Sequence, residues 1–245
     1  MIDLSVLIPT NNLSMKTVQT VNSIYFKDMI FEILVVIDSV ARVDDEAYKQ
    51  LSKTSRVKIL KSNSGCGISE TLNCGITRAA GDLILRLDDG DINLRFDLTE
   101  ELELLKSFDL VCASMSIKYG KSRSRKVITP RIIYRKGRLS PFSRVPHPTW
   151  VFKRDSIKTL YQSIDHRCED FGFLVRNSLR VGYVKRPAIE YDACNSLGYL
   201  SELKSVFYKW RICHKKYSPH WIMIECSLYV LIRLIRLSIT TKKVI

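Results

Sequence analysis

Residues 82–91 read DLILRLDDGD, in which a short apolar run is followed at once by Asp88, Asp89 and Asp91. The run has the length and composition of a strand buried in a parallel sheet. Open α/β sheets bind their ligands at the carboxyl ends of their strands. We therefore expect these aspartates to lie at a ligand-binding edge.

Strand and helix patterns alternate along the chain before this stretch. Apolar runs at 4–8, 31–37 and 57–60 predict strands, and helical spacing of apolar residues predicts helices over 14–26, 44–53 and 66–80. The resulting order, β-α-β-α-β-α-β, predicts an α/β fold with a Rossmann-like, doubly wound, mostly parallel sheet. In this reading Pro9 marks the end of the first strand and Gly81 occupies the C′ position of the third helix.

The second half of the sequence is less regular. We predict a helix over 99–108 and a strand over 110–114, then a strand over 151–152, a helix over 169–176 and a strand over 182–184. From Glu202 onward the chain reads as helical and basic. We place a catalytic domain over 1–200, with its two halves over 1–115 and 116–200, and a basic, amphipathic helical tail over 201–245.

Polar residues follow several of the predicted strands. Thr10 and Asn11 follow the first strand, Asp38 follows the second, and the aspartates of 88–91 follow the fourth. Because these ends meet at one edge of the sheet, the side chains should converge there. A carboxylate at Asp38 could accept a hydrogen bond from the ring N–H of a base such as uracil.

Crowded carboxylates repel one another unless a cation lies between them, and Mg²⁺ or Mn²⁺ suits such hard oxygen ligands. That ion would bridge a diphosphate and neutralise the leaving group. Asp88, Asp89 and Asp91 together therefore form a candidate metal site. A solvated acidic turn is the alternative.

Further candidates lie in loops and at a helix start. The segment 63–67 precedes a helix, and its glycines, Gly65 among them, would let the backbone approach an anion. Asp170 is the candidate general base for a hydroxyl acceptor, although an acidic residue at a helix start also occurs for the dipole alone. His147 could contact an acceptor or a phosphate.

Six segments resemble glycosyltransferase family 2, and they occur in the order of that family. The segments 4–12 and 32–39 resemble its SVIIPTYN and EIIVVDDGS motifs. The segment 63–82 is similar to its NxG…LNxGIxxAxGD stretch, and 86–91 to its RLDADD. The segments 147–154 and 169–176 resemble its HPS…FRR and ED…R patterns.

This resemblance implies a GT-A fold and an inverting transfer of sugar from a nucleotide sugar, with UDP expected by analogy and Mn²⁺ or Mg²⁺ as cofactor. Asp38 would read the base, Asp88 would lie near the ribose and diphosphate, and Asp170 would deprotonate the acceptor. The other expected substrate-binding residues are Pro9, Thr10, Asn63, Gly65, Asn73, His147, Glu169 and Arg176.

The sequence departs from the family pattern at two positions. Ile37 replaces the first aspartate of DDGS, which leaves Asp38 alone there. Gly90 stands where the metal-binding aspartate of the DxD motif usually lies, so the motif is shifted to Asp89-Gly90-Asp91. Either the turn re-registers so that Asp89 or Asp91 binds the ion, or dependence on the metal is weakened.

Charge and cysteine content suggest where the protein works. The formal net charge is +14, and 118–138 holds nine basic residues and no acidic one. Such a surface favours polyanions. The segment 221–239 is apolar-rich but interrupted by charges, which favours an amphipathic helix at a membrane interface over a spanning helix; a packing helix is the alternative. The seven cysteines form no CxxC pair, and no signal-peptide pattern begins the sequence, which favours the cytosol.

By analogy with small members of the family, we expect a lipid-linked saccharide acceptor in bacterial O-antigen or capsule synthesis, at the cytoplasmic face of the inner membrane. Peripheral contact with anionic lipid would use the basic surface. Three alternatives stay open: a catalytically degenerate binding partner, a basic nucleic-acid-binding protein and a nucleotidyltransferase. No RNA- or DNA-binding module is recognisable, so we expect no nucleic-acid partner.

Overall fold

The computed structural model describes residues 3–63, 67–118, 125–135, 138–141, 143–163 and 168–192, together with Lys209 and Ile212. Its strands are β1 (Leu4–Leu13), β2 (Phe31–Val43), β3 (Val57–Lys61), β4 (Leu83–Arg86), β5 (Ile92–Asn93), β6 (Leu110–Lys118), β7 (Arg125–Ile128), β8 (Tyr134–Arg135), β9 (Arg138–Leu139), β10 (Val151–Lys153) and β11 (Val181–Asp192). Its helices are α1 (Met15–Asn22), α2 (Asp45–Ser52), α3 (Ile68–Arg78), α4 (Thr99–Leu105) and α5 (Glu169–Asn177), with 3₁₀ turns at His147–Thr149 and Arg154–Ser156.

Most strands form one sheet in the order β3-β2-β1-β4-β10-β6-β11-β5, and β7 pairs with β6. The β3-β2-β1-β4 part is parallel. Strand β10 is antiparallel to both of its neighbours, while β11 runs parallel to β6. This arrangement confirms the predicted mostly parallel α/β sheet.

Helices cover both faces of the sheet. On one face α1, α2 and α4 contribute buried apolar residues such as Val18, Leu51 and Leu105. On the other face α3 and α5 contribute Leu72 and Phe173. Because the inner strands are buried on both faces, their sequences are continuously apolar rather than alternating.

The prediction that Pro9 ends the first strand is wrong. Strand β1 continues to Leu13, and Pro9 pairs with Val36 of β2. The carbonyl of Leu7 accepts a hydrogen bond from Leu87 N, so the backbone polar groups of Leu7 face β4. Backbone groups two residues apart in a strand face the same side, so the nitrogen of Pro9 also faces β4, but it lies beyond the last β1–β4 pair. A proline is tolerated there because no ladder hydrogen bond is lost.

The predicted C′ role of Gly81 is also wrong. Helix α3 ends at Arg78 with Ala79 as its C-cap, and Gly81 lies after the turn. A Cβ atom at Gly81 would stand 2.7 Å from the backbone carbonyl carbon of Leu4 and 2.7 Å from Ser5 N. Glycine is needed there because two backbones approach closely.

Several elements differ in length from the predictions. Helices α1, α3 and α4 end earlier than predicted. For α1 the reason is that Ile24 and Phe26 reach the core from a loop and so extend the apolar periodicity beyond the helix. Strand β11 is far longer than the predicted 182–184. The predicted tail lies outside the described residues except for Lys209 and Ile212, which are helical. No helix in the described ranges is long and apolar enough to cross a membrane.

Candidate active site

The site forms where β1, β2 and β4 end side by side. Thr10 pairs with Ile37, and beyond this pair Asn11 alone faces residues 38–41 of β2. This bulge takes Asp38 out of the ladder at the carboxyl edge, where its Oδ1 accepts from Val40 N at 3.2 Å. The predicted convergence of strand ends is therefore present in the fold.

A tight turn at residues 88–91 follows β4. Asp91 N donates to Asp88 O at 3.2 Å, and Gly90 N donates to Thr20 Oγ1 at 3.0 Å. Gly90 has a φ of +93°, a backbone conformation that residues other than glycine rarely adopt. The turn directs Asp91 inward, and its side chain is buried. The glycine that departs from the family pattern thus permits a turn that buries the next aspartate.

Asp89 is anchored from β1. Thr10 Oγ1 donates to Asp89 Oδ2 at 2.5 Å and accepts from Asn12 N at 3.1 Å. Burial raises the pKa of Asp89, while hydrogen bonds from Thr10 and Thr17 oppose that rise. The threonine predicted to line the nucleotide pocket therefore orients a candidate metal ligand.

The carboxyl group of Asp91 is the most perturbed acid of the turn. Burial first, then the charges of Asp88 and Asp89, raise its pKa to about 8. Asp91 Oδ2 and Asp89 Oδ1 are buried without a hydrogen-bond partner among the described residues. A cation would satisfy both oxygens and relieve the repulsion, so these residues fit Mn²⁺ or Mg²⁺.

Within the ranges given above, no three side chains of His, Cys, Asp or Glu are arranged as a ready-made metal centre. Mg²⁺ is commonly held by one or two carboxylates together with substrate phosphates and water. Asp89 and Asp91 suit such a shared site better than an all-protein cage.

Four side chains connect the 88–91 turn to the 147–149 turn and to the start of α5: Arg86, Asp88, His147 and Asp170. Arg86 Nη1 donates to Asp170 Oδ1 at 2.5 Å, and its Nη2 lies 3.3 Å from Asp88 Oδ1. His147 Nδ1 lies 2.9 Å from Asp170 Oδ2, and its Nε2 lies 3.4 Å from Asp88 Oδ2. Each carboxylate therefore has one oxygen on Arg86 and the other near His147.

The sheet explains how these side chains meet. Arg86 is the last residue of β4, and its N–H donates to Trp150 O at 2.9 Å. Because β10 runs antiparallel to β4, the 3₁₀ turn with His147 before β10 lies at the carboxyl edge. Asp170 reaches the same place from the first turn of α5.

The carboxyl group of Asp170 is held in its ionised form. Burial alone would raise its pKa, but His147 and Arg86 outweigh burial and keep that pKa well below its ordinary value. The pKa of Arg86 is raised, because Asp170 and Asp88 outweigh the effect of burial on it. The position of Asp170 at a helix N-terminus also favours its negative charge.

Sequence reasoning did not single out Arg86. Its partner Asp170 is separated from it by 84 positions, so no local pattern joins them. A signal was nevertheless present, since Arg86 is the single charge within the apolar run 83–87. A buried cation needs a carboxylate partner, and that requirement could have been applied to the sequence.

The remaining candidates lie farther from these contacts. Asn73 is buried in α3, where its amide exchanges hydrogen bonds of 2.9 and 2.8 Å with the backbone O and N of Tyr161. A substrate contact would require those bonds to break, so the predicted role of Asn73 stays a prediction. Asn63 is exposed after β3, and Gly65 lies outside the described residues.

Pro9, Glu169 and Arg176 complete the predicted set. Pro9 is buried in β1 directly before Thr10. Glu169 begins α5 beside Asp170, and Arg176 lies about 9 Å farther along the helix axis. Burial lowers the pKa of Arg176. Their contacts with substrate stay predictions.

The fold and this edge of the sheet match a known family. The family model described as glycosyl transferase family 2 matches residues 5–180, and the chain therefore belongs to that family. The resemblance seen in the sequence motifs is thus confirmed, and the protein is a glycosyltransferase. No curated protein matches the sequence.

Solved structures of glycosyltransferases share the fold. S. aureus TarS 1–349 in complex with UDP aligns with a TM-score of 0.63 at 15% identity, over 90% of this chain and 68% of that one. The mannosyltransferase PcManGT from Pyrobaculum calidifontis in complex with GDP-Man and Mn²⁺ aligns with a TM-score of 0.66 at 14% identity, over 92% and 69%. At such identities the likeness establishes the GT-A fold alone.

Proposed function

We propose that the protein transfers a sugar from a UDP-sugar to a hydroxyl of a lipid-linked saccharide, with inversion at the anomeric carbon. The observation that carries this proposal is the contact network of Arg86, Asp88, His147 and Asp170. It puts the expected donor-side carboxylate and the expected base within reach of the same guanidinium, Arg86, and the same imidazole, His147. A transferase needs its donor and acceptor groups in this proximity.

On the donor side, Asp38 would accept from the base, and Asp88 would lie by the ribose and diphosphate. Asp89 and Asp91 would hold Mn²⁺ or Mg²⁺, with Thr10 fixing the orientation of Asp89. When bound, the ion would supply positive charge against the leaving diphosphate. The precedents are the neighbours described with UDP and with GDP-Man and Mn²⁺.

On the acceptor side, Asp170 would take the proton of the attacking hydroxyl. Because its pKa is lowered, the carboxylate is ionised at neutral pH and available as an acceptor. The acceptor oxygen would bond to the anomeric carbon as the bond to the diphosphate oxygen breaks. Attack from the face opposite the leaving group inverts the configuration.

The lipid-linked acceptor and the membrane site rest on charge. The formal net charge of +14 favours an anionic surface such as the cytoplasmic face of a bacterial inner membrane. A polyprenyl-type diphosphate carrier would add a polyanion that the basic surface attracts. Surface-polysaccharide synthesis of the O-antigen or capsule type is the role we propose on this basis.

Calorimetric titration with UDP, with and without Mn²⁺, tests the donor site in the wild type and in Asp38→Ala and Asp91→Ala. We expect metal-enhanced binding that both substitutions weaken. Asp155→Ala, at an exposed position of the 154–156 turn, is the matched control and should bind as the wild type does.

Each other outcome has a definite meaning. Binding that ignores Mn²⁺ and needs only Asp38 would show that the shifted DxD motif holds no ion. Binding without turnover of any nucleotide sugar would favour a catalytically degenerate partner. Failure to bind UDP, GDP, CMP and dTDP alike would sink the donor site, and steep salt-dependent binding to DNA would then favour the nucleic-acid alternative.

A further inference from the structure

We propose that Arg86 is a positioning residue of the transfer reaction, which holds the base Asp170 in fixed relation to the donor-side Asp88. This inference rests on the glycosyltransferase function proposed above. Because the side chain of Arg86 is buried and those of Asp88 and Asp170 are partly exposed, Arg86 would act through these carboxylates rather than by direct contact with substrate.

The placement of Arg86 is unusually rigid. Its backbone is held between β1 and β10, with its N–H on Trp150 O. Its side chain is 3% exposed, whereas those of Asp88 and Asp170 are 26% and 32% exposed. The guanidinium therefore lies beneath the two carboxylates, and the carboxylates face the cleft.

The contacts divide into a fixed side and a displaceable side. On the buried side, the planar guanidinium of Arg86 contacts Oδ1 of both aspartates, Asp170 through Nη1 and Asp88 through Nη2. His147, 30% exposed, lies against Oδ2 of both. A substrate hydroxyl can displace the half-open imidazole, while the buried guanidinium keeps the carboxylate oriented. Arg86 is thus the residue that sets the distance between the donor and acceptor half-sites.

Asp170 is surrounded by several other ionisable groups. His147 comes from the 3₁₀ turn, Asp88 from the turn after β4, and Glu169 from the same helix as Asp170. The phenol oxygen of Tyr161 accepts a hydrogen bond from Arg86. Lys209 lies 5.7 Å from the ring centroid of Phe171, the residue after Asp170. Arg86 and His147 are the groups that lower the pKa of Asp170. Without Arg86 that pKa should rise, because burial would then be opposed mainly by His147.

The test compares wild type, Arg86→Met, Arg86→Lys and Arg180→Gln. The control Arg180 forms a similar ion pair with Asp109 on the exposed surface. UDP affinity and thermal unfolding are measured first. Hydrolysis of UDP-GlcNAc, UDP-glucose, UDP-galactose and GDP-mannose is then followed from pH 4 to 9. Asp170 itself is titrated by carboxyl ¹³C NMR, with its signal assigned from Asp170→Asn.

For Arg86→Met we expect kcat to fall about 100-fold with little change in KM or UDP affinity. In wild type Asp170 should stay ionised across this pH range, whereas in Arg86→Met an acid limb of kcat/KM and an NMR titration of Asp170 should enter the lower end of the range, because the pKa of Asp170 rises. Arg86→Lys should return the pH profile to that of wild type but should not restore kcat, because one ammonium cannot span both carboxylates. Arg180→Gln should match the wild type.

Two results in a variant that binds UDP would overturn the inference, and loss of UDP affinity together with kcat would overturn it as well. One is a folded Arg86→Met that binds UDP and keeps the kcat or the pH profile of the wild type. The other is an Asp170 signal that titrates as in the wild type. Absence of nucleotide binding in the wild type would instead overturn the proposed function, and with it the role of Arg86. A variant that loses UDP affinity together with kcat would show a merely structural residue.

Discussion

At the scale of single residues, the buried carboxyl group of Asp91 carries a cost in the protein without metal. Its pKa of about 8 lies far above the ordinary value of 3.8, chiefly because of burial. Between those values the unfolded chain is ionised at this position, while the folded chain keeps the proton. Since the unfolded state binds fewer protons, this group makes stability fall as pH rises toward 8, with little further change above it.

Asp91→Asn should remove that loss. With a chelator present, the Tm of the variant should exceed that of wild type by an amount that grows from pH 5 to pH 8 and then levels off. The corresponding difference in unfolding free energy should grow by at most about 1.4 kcal/mol per pH unit. Differential scanning calorimetry at several pH values measures this. Asp155→Asn is the control, for which the difference in Tm from wild type should not change with pH. A pH-independent difference in Tm for Asp91→Asn would contradict the argument from burial.

Thr10 should affect the ion through Asp89 rather than by direct contact. Thr10→Val keeps the shape of the side chain but loses the hydrogen bond to Asp89 Oδ2. Loss of such an outer partner typically costs about 10- to 100-fold in metal affinity. We expect Mn²⁺ titration monitored through UDP binding to show about a tenfold loss, while Thr54→Val, at an exposed position after α2, leaves affinity unchanged. Equal affinities would remove Thr10 from the donor site.

The sequence indicates the site residues unevenly. Asp38 and the aspartates of the 88–91 turn could be predicted because they directly follow apolar strands. The link from Arg86 to Asp170 could not, because it depends on β10 bringing distant segments together. Asn73 matches a family motif, yet its amide is engaged by the backbone of Tyr161. A motif identifies residue types, whereas contacts across the sheet determine what each one does.

At the scale of elements, a buried ion pair supports the turn that carries His147. Arg95 Nε lies 3.2 Å from Glu101 Oε1, and both side chains are essentially inaccessible to solvent. Arg95 Nη2 also donates to Thr149 O at 2.6 Å. Burial lowers the pKa of Arg95 to about 10. Helix α4 is thereby joined to the 147–149 turn through charge rather than through apolar packing alone.

Breaking this pair from one side should be costly. Arg95→Met leaves Glu101 buried, with Arg186 at 3.6 Å as a remaining partner, and we expect a loss of about 3–5 kcal/mol in unfolding free energy. Arg95→Met combined with Glu101→Leu should cost less than Arg95→Met alone. Urea unfolding of the full cycle measures the coupling. Additive losses would show that the two charges do not depend on each other.

The parallel strands β1 to β4 were predictable, and so was a strand at 151–152, but the antiparallel direction of β10 and the short strands β5, β7, β8 and β9 were not. Strands β1 to β4 are apolar runs separated by helices, a pattern that specifies a parallel sheet. Strand β10 has three residues, and β5, β8 and β9 have two each, so their sequences carry no periodicity. These short strands exist because neighbouring strands supply hydrogen bonds to them.

At the scale of the whole molecule, the positive charge should determine where the protein resides. We expect it to bind vesicles of phosphatidylglycerol and phosphatidylethanolamine, and to be released by salt. Reversing charge in the predicted amphipathic segment, by Arg233→Glu with Arg236→Glu, should weaken binding about tenfold or more. Cosedimentation measures this.

The matched control reverses two exposed charges elsewhere, by Lys49→Glu with Lys53→Glu on and just after α2. If the control weakens vesicle binding as much as the tail variant does, net charge rather than the segment 221–239 mediates the contact. UDP affinity should be unchanged in both variants, because none of the four substituted residues belongs to the proposed donor site.

The position of β10 also bears on the order in which the protein can assemble. Strand β10 fills the gap between β4 and β6, so the main sheet stays divided until residues 151–153 join it. Closing such a long loop is entropically costly, and non-local pairing of this kind slows folding. Strands β1 to β4 can associate with one another during synthesis, while β6 can join this part of the sheet only after β10 is in place. We therefore expect Arg86 and Asp170 to meet only at a late step, and this edge of the sheet to be among the last parts of the molecule to become ordered.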